Sequence, residues 1–149
     1  MSWTITPTIS YSEKAQIKHA LYGDMCIVLR LACVSDANTG TVTLRTTAAS
    51  GASTNYPDIM DQIAHSTLYL MEVVPGAGGD APSAAFDIDI ENKRNSHILD
   101  TDSNSHTATS FTAGSDTLGL FPPIFEEITI VIGTLGDANT ADIYLYFWK

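Results

Sequence analysis

At 149 residues and 16.0 kDa the chain has the size of one domain, long enough to bury a full core without metals or disulfides. Hydrophobic residues make up 44% and charged residues only 16%, so surface polarity must come largely from hydroxyls and amides. Seventeen acidic residues against seven basic ones give a net charge of −10, which supplies no basic stripe for phosphate contacts and sets nucleic acid aside as a partner.

Residues 1–22 mix Thr, Ser, Pro and isolated apolar residues. They read as an extended arm or irregular strand, with room for a helical turn or two only over residues 12–21. From Met25 the period of two is clear: Met25, Ile27, Leu29, Leu31 and Cys33 share one face and Arg30 takes the other. Cys26 and Cys33, seven residues apart on that strand, stand ~23 Å from each other on opposite faces, so they are expected as buried free thiols. Residues 36–40 carry turn chemistry, and a hairpin to a strand over 41–47 is expected, with Val42 and Leu44 inward and Thr41, Thr43 and Arg45 outward.

Residues 48–57 read as a loop. The run 68–74 is apolar on both faces, Leu68 and Leu70 on one and Tyr69, Met71 and Val73 on the other, which predicts a strand with no solvent-exposed side. Residues 75–83, rich in Pro and Gly, break the ladder. Phe86, Ile88 and Ile90 then alternate with Asp87, Asp89 and Glu91, inward and outward. Residues 92–96 turn the chain into a short Ile98-Leu99 segment, 100–110 form a polar loop, and the chain returns to the core through Leu118, Leu120 and Phe121. Two strands close the sequence, one with Ile128, Ile130 and Ile132 inward and one with Ile143, Leu145 and Phe147 inward, joined by a loop over 133–140. About eight strands with almost no helical period predict a single all-β domain over 1–149, an antiparallel β-sandwich or jelly roll with an N-terminal arm.

Chemistry is sparse along this chain. His19, His65, His97 and His106 show no ligand spacing. No phosphate loop and no nucleophile elbow occurs, so neither a catalytic residue nor a cofactor is expected and the chain reads as no enzyme. Asp100 to His106 begins like a calcium loop, but Ser105 stands where the sharp-turn Gly belongs and Phe111 where the bidentate Glu belongs. A hydrated Asx-turn loop is the reading, and no metal is expected. Asp87, Asp89 and Glu91 read as a solvated face. No run reaches the ~20 apolar residues of a membrane span, and the opening residues lack a signal peptide's basic and apolar regions. No membrane partner is expected, and synthesis without export is.

The outward face of the last strand carries Tyr144, Tyr146 and Trp148. Three large aromatics opposite the core mark a contact surface. Three readings stand: a subunit interface, a sugar-stacking platform, or a second core layer covered by the arm around Trp3 and Ile5. With the two-sided run at Tyr69, Met71 and Val73, they make up the candidate interface residues.

From about Leu68 onward the order of elements carries a resemblance. A hydrophobic strand ends in Val74-Pro75, Ala81-Pro-Ser leads to Phe86-Asp-Ile-Asp-Ile-Glu-Asn92, and Ile98-Leu99 and a tract ending near Leu118 follow. Ile128-Thr-Ile-Val-Ile-Gly133, a Gly-Asp-Ala-Asn turn and Ala141-Asp-Ile-Tyr-Leu-Tyr146 complete it. In this order the chain resembles tailed-bacteriophage virion proteins of the capsid decoration (cement) type. It departs from them in Phe86, where Tyr is usual, in Lys93-Arg94-Asn95, where an acidic-Gly turn is usual, and in a longer loop over 100–110. The resemblance implies a homotrimer on the outside of a virion head, made in the host cytoplasm and bound between subunits of the major capsid protein. The alternative is a carbohydrate- or receptor-binding jelly roll of a phage tail or neck.

Overall fold

A computed structural model describes residues 3–12, 26–36, 38–44, 56–82, 86–94, 97–99, 111–114, 123–124 and 127–148. Among these lie ten strands, one α-helix and a single 3-10 turn at Gly78–Asp80: β1 (Thr4–Ser12), β2 (Cys26–Val34), β3 (Gly40–Leu44), α1 (Pro57–Ile63), β4 (Ser66–Pro75), β5 (Ile88–Asn92), β6 (His97–Leu99), β7 (Phe111–Gly114), β8 (Pro123–Ile124), β9 (Ile128–Ile132) and β10 (Thr140–Trp148). One sheet runs β1-β2-β10-β4-β7, with β8 also paired to β4; the other runs β3-β9-β5-β6. Every pairing is antiparallel. The protein is an all-β sandwich, as the alternation predicts.

The core follows from that alternation. Ile27, Leu29, Leu31 and Cys33 from β2 and Ile143, Leu145 and Phe147 from β10 meet Val42 and Leu44 of β3, Ile88 and Ile90 of β5, and Ile128, Ile130 and Ile132 of β9. Arg45, the residues 118–121 and the loop 100–110 lie outside the described residues, as does residue 13 onward of the stretch expected to hold a helical turn.

Four expectations change. β2 and β3 do not form a hairpin, because both edges of β2 are taken by β1 and β10; the turn after Ser35 instead carries the chain into the other sheet. That turn is an Asx-turn, the Asp36 carboxylate accepting from the Asn38 backbone N–H at 2.8 Å. The first residues are no covering arm but an edge strand, in register with β2 from Thr4↔Val34 to Ser12↔Cys26. Pro7 is tolerated there because an edge strand has one unladdered side.

The third change lies in β4. Phe147 pairs with Leu68 and Tyr146 with Leu70, so Tyr69 is an extra, bulged residue. The bulge resets the alternation, and Leu68, Met71 and Val73 all enter the core, although simple parity places Leu68 opposite the other two. The fourth is α1, which sequence periodicity over so short a run did not announce. Pro57 starts it, the Ile59 and Met60 N–H groups both donate to the Tyr56 carbonyl at 3.1 Å, and Met60 and Ile63 enter the core beside β3 and β4.

Candidate functional site: the outer face of the six-stranded sheet

Alternation that sends one set of side chains inward sends the other set out. On β10 the outward set is Thr140, Asp142, Tyr144, Tyr146 and Trp148, each half-buried. Register places each beside an outward residue of β2: Val34, Ala32, Arg30, Val28 and Cys26 respectively. On the other flank stand Val74, Glu72, Leu70 and Thr67 of β4. The exposed hydroxyls of Thr4, Thr6, Thr8 and Ser10 on β1 border the face.

The two ends of this face differ. Around Trp148 and Tyr146 it is apolar, and Cys26 and Val28 are only 6% and 9% exposed although they face away from the core. Burial raises the Cys26 thiol pKa, and it pushes the Tyr146 phenol up to about 12, the hydrogen bond to Glu72 adding to the shift. That bond runs from the Tyr146 hydroxyl to Glu72 Oε2 at 3.0 Å. Towards Thr140 the face is polar. Arg30 Nη2 donates to both Asp142 oxygens, at 3.0 and 2.8 Å, and the pair borders a groove of about 310 Å³ whose walls include Val34, Val74 and Pro75. The hydrogen bond and charge of Asp142 raise the Arg30 pKa further.

The candidate residues are therefore split three ways. Tyr144, Tyr146 and Trp148 stand together on this face. Met71 and Val73 are fully buried in the core, displaced inward by the bulge, and belong to no surface of the folded chain. The side chain of Tyr69 lies outside the described residues. Trp3 is on neither: it packs against the core at the β1–β3 edge, and its indole N–H donates to the Asn38 carbonyl. The arm around Trp3 and Ile5 therefore does not cover β10.

Sequence reasoning missed the lateral neighbours that make the aromatic column a face: Val28 and Cys26 on β2 and Leu70 on β4. Their signal was present in the even-numbered positions of β2, but only the strand order, with β10 between β2 and β4, brings them alongside.

The opposite sheet is different in kind. Its outward positions are Thr41 and Thr43 of β3, Thr129 and Val131 of β9, and Asp89 and Glu91 of β5 in matching register. The Thr43 and Thr129 hydroxyls lie 3.3 Å apart. No group of three or more His, Cys, Asp or Glu is placed to hold a metal among the described residues. The Asp100 to His106 loop and the side chains of His19, His97 and His106 lie outside them. No family model and no curated protein matches the chain.

Proposed function

We propose that the chain is a non-enzymatic structural protein of a tailed-bacteriophage virion, a capsid decoration protein that forms a homotrimer and binds between subunits of the major capsid protein. The observation that carries the reading is the outer face of the six-stranded sheet, with its three aromatics, its buried Val28 and Cys26, and the internally paired Arg30. On a chain of net charge −10, this is the face that copies bring together at least electrostatic cost, because Arg30 neutralises Asp142 and, among the described residues, leaves Glu72 as its one other carboxylate. The carboxylates of β5 face the other way and leave that side to solvent or to a more basic partner.

The topology supports the same reading. Strand order β2-β10-β4-β7 against β3-β9-β5-β6 is that of a jelly roll, an architecture used by viral capsid and lectin domains. The fold alone does not select a function, so the test falls on the face.

Light scattering at micromolar concentration is expected to give three times the 16.0 kDa chain mass, and a Tyr146→Ala/Trp148→Ala variant that still folds is expected to run as a monomer. The native protein is further expected to co-sediment with capsids built from the major capsid protein of the genome that encodes it, and to raise their melting temperature. A monomeric native protein, or capsids unaffected by it, would sink the reading. Aromatics beside the carboxylates Glu72 and Asp142 also favour a sugar platform; a glycan array that binds the native protein and loses the signal in Tyr146→Ala would establish that alternative.

A further inference from the structure

We infer that β1 is exchanged between copies: each chain lays Thr4–Ser12 along β2 of the next copy, and three such exchanges close the trimer. The inference rests on the homotrimer proposed above and adds a second contact to the one made by its aromatic face.

Two observations carry it. The first is the length of the connection. Ser12 and Cys26 are partners across the ladder, about 5 Å apart, a gap that hairpins close with 2–5 residues. Here residues 13–25 join them, and thirteen residues reach up to ~43 Å when extended. A domain of this length has a radius of gyration of about 15 Å, hence a diameter near ~38 Å. The connection is long enough to carry β1 onto a neighbour of the same size.

The second is how β1 is held. Its ladder pairs are all with β2, and its inward side chains, Ile5, Pro7 and Ile9, sit at the sheet edge. Trp3 then locks its start. A Cβ on Gly40 would lie 2.5 Å from Trp3 Cδ2, so only a glycine leaves room for the indole there, and Asn38 offers its carbonyl to the indole N–H. The β2 edge with the Gly40 notch is a receptor for a strand carrying a tryptophan, and it makes the same contacts whichever copy supplies the strand.

A donated strand also makes each contact head-to-tail, the kind that generates a ring where the rotation closes.

The experiment uses facing positions on the two strands. Thr6 pairs with Ala32 and Thr4 with Val34. A Thr6→Cys/Ala32→Cys variant and a Thr4→Cys/Val34→Cys variant are each oxidised and run on a denaturing, non-reducing gel, with the native protein as control for Cys26 and Cys33. The expected result is a covalent species of three times the chain mass, and a mixed disulfide dimer when Thr6→Cys and Ala32→Cys chains are co-expressed. A protein that is trimeric by light scattering but runs as a single chain with an internal disulfide overturns the exchange and leaves the trimer standing. A monomer by light scattering overturns both, and failure of both pairs to form any disulfide overturns the exchange.

Discussion

Ser35 shows how much one buried hydroxyl can hold. Its N–H donates to the Asn139 carbonyl and its own carbonyl accepts from Ala138, both at 2.9 Å. Its Oγ accepts from the Leu135 N–H at 3.3 Å, and Asn139 Nδ2 returns to the Leu135 carbonyl at 2.9 Å. The turn leaving β2 and the loop entering β10 are thereby one hydrogen-bonded unit over the buried Leu135. Ser35→Ala removes the Oγ that accepts from the Leu135 N–H and is expected to lower stability by about 1 kcal/mol in urea denaturation.

Ionisation at single residues sets an alkaline limit. Burial pushes the Cys33 thiol up to about 12 from its ordinary 9.0, and Tyr146 rises to about 12 from 10.0. The fold favours the protonated form of both, while the unfolded chain releases these protons at the ordinary values. Their contribution is therefore complete below pH 9 and is lost as pH climbs from 9 to 12. The urea midpoint is expected to fall across that window, and to fall less above pH 10 in Tyr146→Phe. Ellman's reagent at pH 8 is expected to find no reactive thiol in the native protein and two in denaturant, since Cys26 and Cys33 are both buried and free.

At the scale of elements, the sequence was legible wherever a strand keeps one phase. β2, β3, β5, β9 and β10 put Ile27, Val42, Ile88, Ile130 and Leu145 inward as periodicity predicts. β4 was not, because a bulge leaves no mark in composition: Tyr69 reads as one more strand residue, and only the partner strand shows it is extra. Deleting Tyr69 is expected to leave every β4–β10 pair intact and give a cooperative unfolding transition, whereas deleting Val28 reverses the inward set at the start of β2 and is expected to yield no folded protein.

Helix α1 was missed for another reason. Ile59, Met60 and Ile63 have helical spacing and Pro57 fits a first turn, yet seven residues are too few for a periodic signal to stand out. The aromatic column was legible residue by residue, but the separation of Trp3 from it depended on which sheet edge receives the first strand. Gly40→Ala, which drives a methyl into the Trp3 ring, is expected to cost about 1–3 kcal/mol and to shift tryptophan fluorescence.

For the whole molecule, the sandwich sorts charge between its two outer surfaces. In the proposed trimer, copies meeting through the aromatic face would carry their like charges with them, so repulsion would oppose association at long range while apolar burial would favour it at contact. Raising sodium chloride from about 50 to 500 mM is expected to tighten association in sedimentation equilibrium. A face joined mainly by ion pairs would weaken instead.

The place of β10 has one more consequence, for synthesis. β10 follows every other described strand in chain order, yet it belongs in the middle of its sheet, between β2 and β4. Until it arrives, the nascent chain has two strands whose inner edges lack their final partner, and the central ladder forms by late insertion rather than by growth from an edge. A ribosome paused before residue 140 would therefore hold a split sheet, which makes the synthesis of β10 the point at which this sandwich most needs shielding from its neighbours.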